Sequence, residues 1–203
     1  RARSVNNTPR IGVFGGTFDP IHLGHLAIAR AAKAQARLDN VLFVVAAAPP
    51  HKPEAVLASA DMRAAMITAA LKGESGFELS RIELDRPGPS YTVDTLRALK
   101  EATPGAALFF IVGYDSALDL PKWHAPREIL RLASLLIAPR PRSNTRPLPP
   151  MLEGNCEMLA MREYPFASSE IRARLQRGES AEDALPPAVG RFIQQHRLYQ
   201  RCP

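Results

Sequence analysis

Short runs of almost entirely apolar residues constrain the fold of this chain more than any other feature of its sequence. They are Ile11–Phe14, Val41–Ala46, Leu108–Val112 and Leu135–Ala138. Such runs are typical of strands covered on both faces, whereas a strand with one face in water alternates apolar and polar residues. Helix-prone stretches separate the first three runs, at residues 23–36, 59–71 and 92–101. The alternation predicts an α/β fold with a parallel sheet and crossover helices.

Residues that cap or break helices predict where several elements begin. Ser59 is expected to cap the second helix, and Ser90 or Thr92 the third. Between these two helices, Phe77–Leu84 is predicted to be extended. The proline-rich segment Pro139–Pro150 is predicted to be a loop.

The C-terminal part of the chain is predicted to be helical. Ser168 and Ser169 open a short helix, Glu170–Arg177, and Pro186–Pro187 open the last one. These helices would form a small part that follows the sheet.

The composition fits one compact domain, and its basic charge is compatible with nucleic acid or equally with a polyanionic small molecule such as ATP. The chain has 46% hydrophobic and 23% charged residues and a net charge of +6. We expect residues 1–9 to be a disordered lead-in and residues 10–203 to form a single domain. Because no basic tract or aromatic-interleaved RNA motif is present, we expect no nucleic-acid partner.

The location is predicted from the cysteines and from the lack of a long apolar run. Cys156 and Cys202 do not show a disulfide or metal spacing, which favours a reducing compartment. No run approaches membrane-spanning length, and no signal-peptide pattern follows the first residues. We therefore expect a cytoplasmic protein without a membrane partner, and the sequence leaves a homo-oligomer open.

The segment Gly15–His25, GGTFDPIHLGH, carries the chemistry that the sequence predicts. It follows the first strand and opens the first helix, where free N–H groups and the helix dipole favour a phosphate. His22 and His25 lie three residues apart and would share one helix face, and Gly24 would leave room for a bulky anion. A glycine turn with two surface histidines is the alternative, but the length of the pattern favours a phosphate cradle.

At these residues the chain resembles the nucleotidyltransferase superfamily with the H-x-G-H signature. Its members move a nucleotidyl group from a nucleoside triphosphate onto a phosphate or acid acceptor. The resemblance implies a Rossmann-like parallel sheet with helices on both faces. It also implies that His22 and His25 contact the ATP phosphates.

Later segments are similar to the bacterial nicotinate-mononucleotide adenylyltransferase family. They are Pro49-Pro50-His51-Lys52, Ser90-Tyr91-Thr92-Val93-Asp94-Thr95-Leu96, Gly113-Tyr114-Asp115-Ser116 with Trp123 after it, and Ser168-Ser169-Glu170-Ile171-Arg172. Their order and spacing agree from about Ile11 to Tyr199, which is nearly the whole chain.

The resemblance implies a set of site residues. ATP would be bound by Gly15, Gly16, Thr17, Phe18, His22, His25, Asp115, Ser168, Ser169 and Arg172, of which His22, His25 and Arg172 are the catalytic residues. The pyridine nucleotide would be bound by His51, Lys52, Ser90, Tyr91, Thr92 and Trp123. Mg²⁺ would arrive with ATP, and no protein cluster for a metal is expected.

Physical reasons support several of these assignments. Ser169 can cap a helix whose first turn carries Arg172, so that amides and a guanidinium converge on phosphates. Asp115 follows a strand, where a carboxylate commonly accepts ribose hydroxyls. The helix start at Tyr91–Thr92 offers N–H donors that suit a carboxylate. Trp123 would stack on the pyridine ring, with a core position as the alternative.

The chain departs from the family pattern at two places. Where the family often has asparagine before P-P-H, the chain has Val45-Ala46-Ala47-Ala48. The last motif often begins I-S-S, but Phe166-Ala167-Ser168 stands here. Contacts by the asparagine and by one hydroxyl are therefore absent.

The predicted reaction is adenylyl transfer from ATP to nicotinate mononucleotide. A phosphate oxygen of the mononucleotide would attack the α-phosphorus in line and release pyrophosphate, without a general base or a covalent intermediate. The alternatives are another acceptor, such as nicotinamide mononucleotide or phosphopantetheine, and a non-catalytic nucleotide- or RNA-binding protein.

Overall fold

A parallel six-stranded sheet forms the centre of the molecule, with the strand order β3-β2-β1-β4-β5-β6. The computed structural model describes residues 8–47, 57–86, 88–139, 146–162 and 164–200. The strands are β1 (Arg10–Gly16), β2 (Asn40–Val45), β3 (Phe77–Ser80), β4 (Ala107–Gly113), β5 (Ala133–Ala138) and β6 (Cys156–Met158). Most of the predicted lead-in and half of the proline-rich loop lie outside the described residues.

Helices cover both faces of this sheet. They are α1 (Leu23–Gln35), α2 (Ala60–Leu71), α3 (Thr92–Ala102), α4 (Tyr114–Asp119), α5 (Pro126–Leu132), α6 (Ser168–Gln176) and α7 (Pro187–Gln195). Buried residues of α1, α2, α6 and α7 belong to one core cluster, and those of α3, α4 and α5 belong to the other. The predicted α/β architecture with a C-terminal helical part is confirmed. In the described parts of the chain, no helix is long and apolar enough to cross a membrane.

The continuous apolar strands are explained by this two-sided cover. Successive residues of a strand point to opposite faces. In β1, Val13 packs with one cluster and Phe14 with the other, and in β2 Val44 and Val45 divide in the same way. Each of these side chains is at most 5% exposed, so a polar residue at any of them would be buried without water.

The strand order places a binding crevice next to β1. The chain builds the sheet outward from β1 to β2 and β3, and then returns to the other side with β4, β5 and β6. In open parallel sheets, ligands bind beyond the carboxyl ends of the strands where this reversal occurs. Here that position lies between Gly15–Gly16, at the end of β1, and Gly113, at the end of β4.

Some predicted elements are shorter than expected, and others were not predicted. The extended segment ends at Ser80 rather than Leu84, because the chain turns and Asp85 N–H donates to the Arg81 carbonyl. Helices α4 and α5 and the three-residue strand β6 are additional elements. Each is too short to show a periodic apolar pattern, although a proline at the start of α5 is a common helix signal.

Arg63 of α2 holds the loops at the carboxyl edge of the sheet together. It is 2% exposed, and its guanidinium donates to the carbonyls of Thr17 and Ala46 (both 2.8 Å) and of Ala58 (3.2 Å). Burial lowers the pKa of this guanidinium, which the nearby Asp19 carboxylate partly opposes. The buried cation therefore satisfies backbone acceptors from three separate segments of the chain.

We expect Arg63→Met to destabilise the protein strongly. The substitution keeps much of the side-chain length but leaves these carbonyls, of which that of Ala58 is buried, without their donor, which should cost on the order of 3 kcal/mol. Urea unfolding measures the change. The matched control is Arg81→Met, which breaks a solvent-exposed ion pair between Arg81 and Asp61 of α2. It should cost less than about 1 kcal/mol. Equal losses in the two variants would contradict the role given to Arg63.

Candidate active site

A cleft of about 850 Å³ opens at the carboxyl edge of the sheet, beside β1 and β4. It brings together nearly all of the predicted site residues. The lining includes Gly15, Gly16, Thr17, Phe18, His22, His25, Ser90, Tyr91, Thr92, Asp115, Trp123, Ser168, Ser169 and Arg172. His51 and Lys52 lie outside the described residues, so their predicted role stays a prediction.

The glycines of the first motif make room for neighbouring rings. A Cβ at Gly16 would lie 2.9 Å from the ring of Phe18. Phe18 has a positive φ of 50° and is 2% exposed, so any contact of Phe18 with ATP would come from its backbone. A Cβ at Gly24 would lie 3.0 Å from the His22 ring. Gly24 therefore accommodates His22, whereas the sequence suggested that it accommodates the anion.

The two histidines form a stacked pair at the start of α1. His22 is the N-cap residue and His25 is the third residue of the helix. Their ring centroids are 3.7 Å apart, and the His22 N–H donates to His25 Nδ1 at 3.2 Å. Because Nδ1 accepts this bond, a neutral His25 carries its proton on Nε2 and can donate from there. His22 Nδ1 is buried and has no hydrogen-bond partner among the described residues, as expected of an atom that awaits a ligand.

Both imidazoles are neutral at pH 7 in the ligand-free protein. Burial lowers the pKa of His22 from 6.5 to about 4. The pKa of His25 is lowered well below its usual value by burial and then by repulsion from His22. The edges of Phe14 and Phe18 pack against His25 with ring centroids at 6.0 and 5.0 Å. The pair thus offers neutral hydrogen-bonding groups at a helix N-terminus rather than fixed positive charges.

Helix α6 faces this pair from the other side of the cleft. Ser168 Oγ donates to the Pro20 carbonyl at 3.0 Å, and Arg172 Nη1 donates to the Asp19 carbonyl at 2.7 Å. These bonds bring the start of α6 against the first motif. Among the described residues, Nη1 makes the only hydrogen bond of this guanidinium, so its remaining N–H groups are available to a phosphate.

The cap expected for α6 is wrong. The N-cap residue is Ala167, which has no side-chain oxygen, and Ser169 lies within the first turn, exposed in the cleft. The first N–H groups of a helix have no acceptor inside the helix. The departure from the family pattern at Ala167 therefore leaves these donors to a ligand.

The other half of the cleft is built around the start of α3. The N-cap residue is Tyr91 without a side-chain cap bond, so neither Ser90 nor Thr92 caps the helix as expected. Trp123 is partly buried and lines the cleft. Its ring packs edge-on with that of Phe110, with the ring centroids 6.0 Å apart. Trp123 thus lines the cleft and also packs against the core, and its stacking on a pyridine ring stays a prediction. Asp115 lies in the first turn of α4, directly after β4.

Sequence reasoning missed several residues of the site. Asp19 belongs to the quoted motif but was given no role, and it is 1% exposed. Glu83 is buried in the cleft wall, accepts a hydrogen bond from Thr95 Oγ1 at 2.7 Å, and has its pKa raised by burial. The His124 ring packs against the Tyr91 ring in a tilted arrangement, with centroids 4.6 Å apart. A charged residue inside a motif was the available signal for Asp19, and nothing local marked the others.

Within the described ranges, no group of three or more histidine, cysteine, aspartate or glutamate residues is arranged to hold a metal ion. The described lining of the cleft includes one guanidinium, that of Arg172, and the N-terminal N–H groups of helices.

We expect the ligand-free protein to lose stability as the pH falls from about 6.5 to 4. The unfolded chain binds a proton on His22 near pH 6.5, whereas the folded chain does so only near pH 4, so acid favours unfolding. The loss should approach about 3 kcal/mol at the acid end. Urea unfolding across this range measures it. His22→Gln should reduce this loss to the part that comes from His25, whose pKa is also lowered by burial, while His196→Gln, at an exposed position of the C-terminal part, should leave the loss unchanged. If stability depends on pH in His22→Gln as it does in the wild type, the lowered pKa of His22 is contradicted.

Comparisons with known proteins agree with this geometry. The cytidylyltransferase-like family model matches residues 13–174. The probable nicotinate-nucleotide adenylyltransferase of Thermus thermophilus is 45% identical over 94% of this chain and 100% of its own length. That of Trichlorobacter lovleyi is 42% identical over 94% of this chain and 99% of its own.

Solved structures show the same fold at lower identity. Plasmodium falciparum nicotinic acid mononucleotide adenylyltransferase complexed with NaAD superimposes with a TM-score of 0.76 at 20% identity, covering 94% of this chain and 97% of that one. The putative enzyme of Vibrio parahaemolyticus gives a TM-score of 0.69 at 20% identity, with coverages of 95% and 96%. The family resemblance is confirmed: this chain belongs to the cytidylyltransferase-like family and, within it, to the nicotinate-nucleotide adenylyltransferases.

Proposed function

We propose that the protein transfers the AMP part of MgATP to nicotinate mononucleotide, forming nicotinate adenine dinucleotide and pyrophosphate. One observation carries this proposal. The N-termini of α1 and α6, the stacked histidine pair and Arg172 all line one cleft, next to an aromatic pocket at the start of α3. Helix N-termini and a guanidinium suit a triphosphate, and an aromatic ring suits a flat base.

The chemistry requires positioning and charge stabilisation more than proton transfer. The 5′-phosphate of the acceptor is already an anion, so it attacks the α-phosphorus without a general base. His25 donates from Nε2, and His22 has its free Nδ1 for the phosphates. Arg172 and the open N–H groups of α6 stabilise the pyrophosphate that leaves. Mg²⁺ enters as part of the substrate MgATP, held by phosphate oxygens and water.

The acceptor half of the cleft suits an acidic pyridine ring. The uncapped start of α3 presents N–H donors next to Tyr91 and Thr92, and a carboxylate accepts from such donors. The amide of nicotinamide would present its own NH₂ group to them and lose part of this interaction. Trp123 supplies the ring that stacks on the pyridine. We place the reaction in the cytoplasm, because the two cysteines show no disulfide spacing.

A pyrophosphate-release assay with ATP and single acceptors tests the proposed function. We expect turnover with nicotinate mononucleotide, a slower reaction with nicotinamide mononucleotide, and none with phosphopantetheine. His25→Ala is the control: it removes a donor to the developing charge and should lower kcat roughly a hundredfold while the protein stays folded. If another acceptor is turned over faster, that compound and not nicotinate mononucleotide is the substrate. If no acceptor is turned over, the enzyme assignment is refuted.

Trp123→Ala should raise the KM for nicotinate mononucleotide and leave the KM for ATP nearly unchanged. Loss of one stacking contact costs on the order of 1 kcal/mol beyond the lost apolar burial, or roughly a fivefold change or more. Trp123→Phe keeps a ring that can stack and is the matched variant, in which most of the affinity should return. Because Trp123 is the only tryptophan, its fluorescence also reports binding of the acceptor. A large fall in Tm with equal losses for both substrates would instead indicate a core residue.

A further inference from the structure

The buried Asp19 carboxylate binds parts of the chain that are far apart in sequence. Oδ1 accepts from the Tyr199 hydroxyl at 2.6 Å and from Ala58 N–H at 3.2 Å. Oδ2 accepts from Leu57 N–H at 2.8 Å and lies 3.7 Å from Arg172 Nη1. Both oxygens are thus occupied, and the guanidinium of the ATP half of the site is one of the partners.

Tyr199 reaches this carboxylate from the C-terminal end of the described chain. It follows α7, is 7% exposed, and has a left-handed backbone conformation with φ of 61°. A bulky residue seldom adopts this conformation, which costs on the order of 1 kcal/mol or more unless tertiary contacts hold it. Burial and the bond to Asp19 raise the pKa of Tyr199, so the hydroxyl is protonated and donates to the carboxylate at neutral pH.

The hydroxyl determines how strongly Asp19 attracts Arg172. Nη1 of Arg172 is bound to the Asp19 backbone carbonyl at 2.7 Å and stays 3.7 Å from the carboxylate. Without the Tyr199 donor, a buried carboxylate oxygen would lose its shortest hydrogen bond and seek another cation or donor. Arg63 is already occupied by backbone carbonyls, which leaves Arg172 as the group that would move.

From this geometry we propose that Tyr199 is a positioning residue for ATP, acting through Asp19 on Arg172. The Tyr199 hydroxyl satisfies the carboxylate, and the Arg172 guanidinium therefore stays turned towards the cleft instead of closing onto Asp19. The inference rests on the proposed adenylyl transfer, since it assumes that Arg172 contacts the ATP phosphates.

Tyr199→Phe tests the inference, because it removes the hydroxyl and keeps the ring. We expect the KM for ATP to rise roughly tenfold, which is the effect of losing one hydrogen bond between Arg172 and a charged phosphate. The KM for nicotinate mononucleotide should stay unchanged. Ile193→Val, in α7 and 3% exposed, is the matched control: it lowers the stability of the same part of the chain without touching Asp19. Ile193→Val should lower Tm about as much as Tyr199→Phe does, but its KM for ATP should equal that of the wild type.

A double-mutant cycle shows whether the effect passes through Arg172. In an Arg172→Ala background, Tyr199→Phe should change the KM for ATP less than twofold, because the group it positions is gone. Additive effects, or a Tyr199→Phe variant that behaves like Ile193→Val, would overturn the inference and leave the proposed function intact. A wild-type protein that neither releases pyrophosphate nor binds ATP would overturn the proposed function itself, and the inference with it.

Discussion

The buried carboxylate of Asp19 is the interaction on which the arrangement of the site depends. A charge that is 1% exposed is costly unless hydrogen bonds and opposite charges surround it. The chain meets this requirement with donors from the segment before α2, from α6 and from the C-terminal end. The nearby Arg63 is the converse case, a buried cation that donates to surrounding backbone carbonyls. The two ions make the loops of the first motif part of the core, so the phosphate-binding groups are fixed before any ligand arrives.

In the proposed function, backbone dipoles at helix N-termini are the main attraction for anionic substrates. The described part of the cleft places Arg172 next to two helix starts and a pair of histidines that are neutral at pH 7. Hydrogen bonds from neutral donors strengthen as negative charge develops on the leaving pyrophosphate during the transfer. Fixed ammonium groups would bind ground state and products equally tightly, which slows release without lowering the barrier.

Local patterns predicted the sheet and most of the cleft, whereas long-range contacts did not appear in the sequence. The apolar strands such as Leu108–Val112 and the first motif were sufficient because each lies in one short segment with its own periodicity or glycines. Helix α4 and strand β6 have too few residues for a pattern. The bonds of Asp19 to Tyr199 and Arg172 join segments more than 150 residues apart, and no rule of spacing connects them. The cap of α6 was wrong because Ser169 is a good capping residue, but the chain enters the helix two residues earlier.

The uncapped start of α6 has a consequence for the behaviour of the protein between catalytic cycles. With Ala167 as its N-cap residue, the helix lacks the side-chain acceptor worth about 1 kcal/mol at that position. Under the proposed function, a phosphate of the nucleotide would supply that acceptor and complete the helix as well as the site. The folded state is then stabilised by RT ln(1 + [L]/Kd), and resistance to unfolding and proteolysis follows the supply of nucleotide.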